Sequence, residues 1–200
     1  MSTRIVLASN NPGKVREIAQ LLGDLRLTVV PQSEFNVSDI EETGLTFVEN
    51  AIFKARNASH QTRLPAIADD SGLEVDALNG APGIHSARYA GSGSSDKANV
   101  DKLLTELAEV PEERRTARFQ CVAIYLRHTH DPTPIICQGT WEGCILFEPK
   151  GKSGFGYDPV FFVPTHNCSA AELPPEVKNQ LSHRGQALRK LVNALRSSRG

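Results

Sequence analysis

Arg4-Ile5-Val6-Leu7-Ala8-Ser9-Asn10-Asn11-Pro12-Gly13-Lys14 is the stretch on which the fold class turns. Arg4–Ala8 is a short, β-branched apolar run, which reads as a buried strand. Asn10 to Gly13 then form a turn signal. Past the turn, Val15, Ile18, Leu21, Leu22 and Leu25 recur on one face of a helix. Leu27–Val30 reads as the next strand. Strand, turn, helix and strand in that order are the signature of an α/β fold.

Downstream, Glu41-Glu42-Thr43-Gly44 is a polar loop, and Thr46 with Glu49 forms a capping box that starts a helix. That helix buries Phe47, Ala51, Ala55 and Ala58 and shows Asn50, Lys54 and Asn57 on its other side. Ala66–Ala68 is a short strand that runs into Asp69-Asp70-Ser71-Gly72, read as a strand end beside a turn glycine. A strand resumes at Leu73 and Val75. After a Gly- and Ser-rich loop from Gly80 to Ser95, a helix carries Val100, Leu103, Leu104 and Leu107. Phe119–Leu126 is a strong strand, with Ile135–Gly139 and Cys144–Phe147 as partners. Gly151–Asp158 is a glycine-rich loop before the strand Val160–Val163. Pro174 and Pro175 open a short helix at Lys178. Ser182 caps the last helix, which buries Leu188, Leu191, Val192 and Leu195. The expected architecture is a mixed sheet flanked by helices. It forms one domain over 1–200, with a second lobe of roughly 117–165 within it.

The 200 residues are 40% hydrophobic and 22% charged, which suits a globular chain able to bury a core without staples. A formal net charge of -1 and the lack of a basic stripe argue against a nucleic-acid partner. Cys121, Cys137, Cys144 and Cys168 form no CxxC pair, so a reduced compartment and a role as small buried hydrophobes are expected. The N-terminal apolar run is too short for a signal peptide or a membrane span, and a cytoplasmic location is expected.

Five segments hold residues that could carry chemistry. Ser9, Asn10, Asn11, Pro12, Gly13 and Lys14 lie between a strand and a helix. Backbone N–H groups and the helix dipole make an anion site there, and Lys14 adds a full charge; the alternative is an ordinary βα turn. Asp69 and Asp70 at a strand end are hard oxygen ligands suited to Mg²⁺; the alternative is a turn capped by an Asp. Glu41 and Glu42 matter only if they converge on Asp70. In Gly154-Phe155-Gly156-Tyr157-Asp158-Pro159, glycines let a ring project to stack on a base, and Asp158 could accept hydrogen bonds from a purine edge. Ser182-His183-Arg184-Gly185 puts positive residues in a first helical turn against the dipole, a local rule broken without evident gain. Gly151-Lys152-Ser153 is no Walker A loop, because Leu146 stands where the first glycine belongs, and Gly91-Ser92-Gly93 lacks the last glycine of a dinucleotide fingerprint.

In order along the chain, SNNPGK (9–14), EETGLTFVENAIFKA (41–55), LPAIADDSGLEVDALNGAPGIHSARY (64–89), SGFGYDP (153–159) and SHRGQAL (182–188) resemble the inosine triphosphate pyrophosphatase family. Within it they resemble specifically the bacterial dITP/XTP pyrophosphatases, which act on non-canonical purine nucleoside triphosphates, and the resemblance runs from Ile5 to Leu195. The resemblance implies an elongated two-lobed α/β fold with the nucleotide in the cleft between the lobes, a homodimer and a need for Mg²⁺. It implies that Ser9–Lys14 binds the triphosphate and that Lys54 faces the phosphates. Asp70 matches the catalytic carboxylate and metal ligand, and Ser71 a substrate contact. Phe155, Gly156, Tyr157 and Asp158 match the base-binding loop, and Lys178, His183 and Arg184 the remaining base contacts. His85 stands where the family usually has Tyr.

The reaction so implied is attack at the α-phosphorus with loss of pyrophosphate. Asp70 or a water it orients accepts the proton, and Asp70 shares the metal with Glu41 or Glu42. Spacing leaves that choice open, and Glu41 is the one taken. Lys178, His183 and Arg184 are the donors for a purine O6. Two other readings compete: a pyrophosphatase for modified pyrimidines, against which the SHRG and FGYDP segments speak, and a non-catalytic nucleotide sensor or nucleic-acid module, which the acidic cluster disfavours.

Overall fold

The structure, a computed structural model, describes residues 3–10, 15, 18–19, 22, 27–38 and 40–198. Its strands are β1 (Thr3–Leu7), β2 (Leu27–Pro31), β3 (Ala66–Val75), β4 (Thr116–Leu126), β5 (Ile135–Ile145), β6 (Phe161–Val163) and β7 (Cys168–Ser169). They form one sheet in the order β2-β1-β3-β4-β5-β6-β7. β1 runs parallel to β2 and to β3, whereas β6 is antiparallel to both β5 and β7, so the sheet is mixed. The labelled α-helices are α1 (Phe47–Thr62), α2 (Asp96–Glu106), α3 (Pro175–Leu181) and α4 (His183–Ser197). Val15, Ile18, Ala19 and Leu22 are helical as well. The fold class expected from the sequence is the one observed.

The chain divides into two compact units. The first comprises residues 1–70, 121–139 and 184–200; the second comprises 71–120 and 140–183.

In the first unit, the apolar run of β1 is buried on both of its faces, which is why it shows no polar alternation. Ile5 and Leu7 pack with Ile18, Leu22 and the apolar stripe of α4, including Leu188, Leu191 and Leu195. Val6 and Ala8 pack with Ala51, Ala55 and Ala58 of α1 and with Ala66 and Ala68 of β3. The small side chains on α1 let it lie close to the sheet. Thr46 caps this helix by accepting from Glu49 N–H at 3.2 Å, and the Glu49 carboxylate accepts from Leu45 N–H at 2.9 Å. Asn50, expected on the open side of α1, is instead fully buried.

The second unit has its own core, in which Leu73, Val75, Val100, Leu103 and Leu107 surround Phe119, Trp141 and Phe161. The Phe119 and Phe161 rings lie 4.6 Å apart in a tilted pair. Ser95 caps α2 by accepting from Ala98 N–H at 3.2 Å. Arg115 is buried here and donates to the carbonyls of Val110, Leu146 and Leu107, with its guanidinium 3.9 Å from the centre of the Phe147 ring.

Two strand readings need correction. Asp69–Gly72 is not a strand end, since β3 continues from Ala66 to Val75. Each Asp has a cation within ion-pair distance, so the strand need not break to hydrate it. The segments Ile135–Gly139 and Cys144–Phe147 are not separate strands either, because β5 runs unbroken from Ile135 to Ile145. Gly143 is there for close approach rather than for a turn: a Cβ would meet the Phe161 ring at 2.6 Å. Cys121 is buried, the other three cysteines are half-buried, and none of the four is in a disulfide. Among the described residues no helix is long and apolar enough to cross a membrane.

Candidate functional site

In the first unit, charged groups gather along β3, α1 and the loop before α1. Successive side chains on a strand alternate in direction. Ala66 and Ala68 join the α1 cluster and Ile67 joins the α4 cluster, so Asp70 falls on the α1 side and Asp69 on the α4 side. Their partners obey this parity. Lys54 Nζ of α1 lies 2.7 Å from Asp70 Oδ1, and Arg184 Nε of α4 lies 3.4 Å from Asp69 Oδ2. Lys54 also reaches Glu42 Oε1 at 3.2 Å. Glu41 is exposed, with its carbonyl accepting from Thr43 N–H at 3.1 Å. It is therefore Glu42 that the structure brings to Lys54 and Asp70.

The electrostatics favour a proton acceptor at Asp70. Burial pushes its carboxyl pKa up, the Lys54 charge and hydrogen bond pull it down, and the net shift is upward. For Lys54, burial would lower the pKa, but Asp70, Glu42 and Asp69 outweigh it and raise it. The ammonium therefore stays charged. Asp70 Oδ2 is buried with no hydrogen-bond partner, so one carboxylate oxygen is committed to Lys54 and the other is uncommitted. Among the described residues no three His, Cys, Asp or Glu side chains converge as a metal centre. A cation that takes one or two carboxylates and completes its shell with phosphates and water, as Mg²⁺ does, fits this sparse set.

The rest of the first unit's expected site is partly described. Ser9 is half-buried at the end of β1 with its N–H donating to Leu7 O at 2.8 Å, and Asn10 is exposed. Asn11, Pro12, Gly13 and Lys14 lie outside the described residues.

In the second unit, the segment from Gly154 to Asp158 is held at three points. Gly154 sits at φ +83°, and a Cβ there would run into the Asp158 carboxylate. That carboxylate accepts from Phe155 N–H at 2.8 Å and pairs with Lys178 Nζ of α3. Gly156 N–H donates to Asp96 Oδ2 at 2.7 Å, and the Tyr157 hydroxyl donates to Ser86 O at 2.8 Å. Tyr157 is buried, and burial first, then nearby negative groups, pushes its pKa up. Phe155 remains 59% exposed, with Lys178 Nζ 5.0 Å from its ring centre. The loop thus presents one aromatic face with a cation beside it. Asp158, read from the sequence as a partner for a purine edge, is buried among protein donors instead.

His183 is buried in the second unit and stacks on Phe119 at 4.7 Å with the ring planes 13° apart. Ser71 is half-buried on β3. The sequence marked Asp69 beside Asp70 as a possible metal ligand but not as the partner of Arg184, and it marked neither Asp96 nor Asn50 for a role. Asp96 and Asn50 act on backbone N–H groups, which leave no trace in residue type.

A model of the Ham1 family matches residues 5–194. The chain is 63% identical to a dITP/XTP pyrophosphatase of Vibrio vulnificus, with 96% of each chain covered. It is 61% identical to one from Vibrio cholerae, with 98% of each covered. Among solved structures it superposes on a HAM1 protein from Coxiella burnetii with a TM-score of 0.94 and 54% identity, covering 98% of this chain and 99% of that one. The Ham1 protein of Staphylococcus aureus gives a TM-score of 0.90 and 44% identity, covering 98% and 100%.

Proposed function

The chain belongs to the Ham1 family, and on that premise we propose that it hydrolyses non-canonical purine nucleoside triphosphates, dITP, ITP and XTP, to the monophosphate and pyrophosphate. Such an activity keeps damaged bases out of DNA and RNA. The observation that carries the reading is the part-buried Lys54–Asp70 pair with Glu42 beside it. It supplies a cation for polyphosphate and a carboxylate with one oxygen uncommitted.

Lys54 neutralises phosphate charge, together with Lys14 of the Ser9–Lys14 loop. Asp70 accepts the proton of the attacking water, whose oxygen bonds to the α-phosphorus as the bond to the bridging oxygen breaks. Pyrophosphate leaves with the electron pair of that bond. Asp70 and Glu42 would hold Mg²⁺, which supplies charge neutralisation on the phosphates and a more acidic water. We assign the second carboxylate to Glu42 because it is the glutamate that reaches Lys54. Phe155 stacks on the base, and Lys178, His183 and Arg184 favour a purine O6. Gly156 and Tyr157 shape that loop, Asp158 holds Phe155 and Lys178 in place, and Ser71 contacts substrate. A homodimer, checked by light scattering, and a cytoplasmic location complete the reading.

Asp70→Asn should lower kcat by about 100-fold or more while nucleotide binding stays within about threefold. Pyrophosphate release from ITP, dITP, XTP, dUTP, GTP and ATP, with and without Mg²⁺, tests the whole proposal. Turnover of dUTP or GTP matching that of dITP would defeat it, as would near-normal turnover by Asp70→Asn.

A further inference from the structure

We infer that Asn50 is a positioning residue, whose side-chain oxygen holds the backbone of Gly44 and thereby sets Glu42 against Lys54. Asn50 is fully buried on α1, one helical turn before Lys54. Its Oδ1 accepts from Gly44 N–H at 2.9 Å. Two residues before Gly44, Glu42 makes its ion pair with Lys54. The loop and the helix are therefore joined by two rungs, Gly44 to Asn50 and Glu42 to Lys54.

Two further observations show that the inner rung is a built feature. Asn50 Nδ2 is buried with no hydrogen-bond partner, a costly state in a close-packed interior. The fold keeps an amide there although only its oxygen is used. A leucine of similar bulk would avoid the unmet donor but could not hold Gly44. Gly44 in turn has no room for a side chain, because a Cβ would stand 2.6 Å from Asn50 Oδ1 and 2.6 Å from Glu49 Cβ. The amide oxygen and the bare glycine fit each other, and the consequence falls on the carboxylate two residues away. Without this anchor, the run from 41 to 45 would lose the buried hydrogen bond that fixes its backbone beside α1. A part-exposed ion pair is weak where side-chain entropy opposes it, so the backbone anchor bears on where Glu42 sits.

The inference rests on the reading that Glu42 and Asp70 serve a metal-bound polyphosphate, so the test has one arm that needs no activity. Asn50→Ala removes the acceptor, whereas the isosteric Asn50→Asp keeps it and sacrifices no existing bond of Nδ2. Amide hydrogen exchange at Gly44, measured without nucleotide or metal, should speed up by about tenfold or more in Asn50→Ala and stay slow in Asn50→Asp. The Mg²⁺ concentration for half-maximal pyrophosphate release should rise by about tenfold in Asn50→Ala, with little change in kcat at saturating metal. Gly44→Ala approaches the same contact from the loop side, so it should show the same Mg²⁺ defect, and the double variant should be no worse than either single one. Unchanged Gly44 exchange in Asn50→Ala overturns the inference. So does an unmoved Mg²⁺ half-saturation, or an equal loss in Asn50→Ala and Asn50→Asp. Mg²⁺-independent turnover by the unaltered protein would instead sink the functional reading, and Gly44 exchange would still decide whether Asn50 holds the loop.

Discussion

Asp96 is exposed on the first turn of α2, where a carboxylate is favoured by the helix dipole, and its Oδ2 accepts from Gly156 N–H at 2.7 Å. Asp96→Ala should therefore loosen the segment that carries Phe155. The expected result is a several-fold rise in KM for dITP with kcat kept, and Asp96→Asn, which retains an acceptor, should restore most of it; steady-state kinetics of the two variants decides. Gly154→Ala should be harsher, since at φ +83° the new methyl meets both backbone strain and the Asp158 carboxylate. A loss of about 1 kcal/mol or more is expected, read by urea unfolding. At this scale, residue type marked Asp70 and Phe155 as candidates, and the family resemblance added Lys54. Residue type could not mark Asp96, because the group it holds is a backbone N–H 60 residues away. Nor could it choose between Glu41 and Glu42, because adjacent loop residues have no fixed periodicity.

Helix α1 was legible almost to the residue, because both its cap and its alanine face are local patterns. Thr46→Ala should cost about 0.5–2 kcal/mol, measured by thermal or urea unfolding. Ala55→Leu should cost about 1–3 kcal/mol by overpacking the space between α1 and the sheet, far more than the near-neutral change helix propensity alone predicts. The strands were less legible where polar residues interrupt them. β3 carries Asp69-Asp70-Ser71-Gly72 through its middle, a string that by type is a turn. What keeps it extended is a pair of cations supplied by α1 and α4, one of them from far along the chain. β5, read from the sequence as two strands, runs unbroken through Gly143, where the Phe161 ring excludes a side chain.

Across the whole molecule, the class of the fold followed from the opening strand, turn and helix, and the order of the seven strands did not. Strand order depends on pairing between distant segments, which no local pattern encodes. Distant pairing also governs how stability should respond to acid. Asp76, which follows β3, has its pKa pulled down to about 2 by hydrogen bonds from Arg118 of β4 and from Thr116. A carboxyl whose pKa is lower in the folded state stabilises the fold above the unfolded value of 3.8, and that contribution fades as pH falls toward 2. Asp76 is close to half exposed, so solvent screening limits the effect to about 0.2–1 kcal/mol. Arg118→Ala should accordingly lower the melting temperature at pH 7, and the gap from the unaltered protein should close between pH 4 and pH 2. Turnover should also stop on removal of divalent metal with a chelator and return on adding Mg²⁺, with the melting curve largely retained, because the cores contain no metal centre among the described residues.

The placement of Asp69 and Asp70 on opposite faces of β3 makes this segment sensitive to reading frame. Deleting one residue between Ala66 and Asp69 would exchange the faces of everything beyond it, turning one carboxylate toward apolar side chains and stranding Lys54. Deleting two adjacent residues would preserve the alternation and shift the charges only along the strand. A library of single and paired deletions across 66–70 should therefore show an odd–even pattern of folded protein, whereas equal deletions in the Gly- and Ser-rich stretch from Gly80 to Ser95 should show none. For anyone recombining this chain with its relatives, the safe junctions lie where chain length is free to drift, and β3 is not among them.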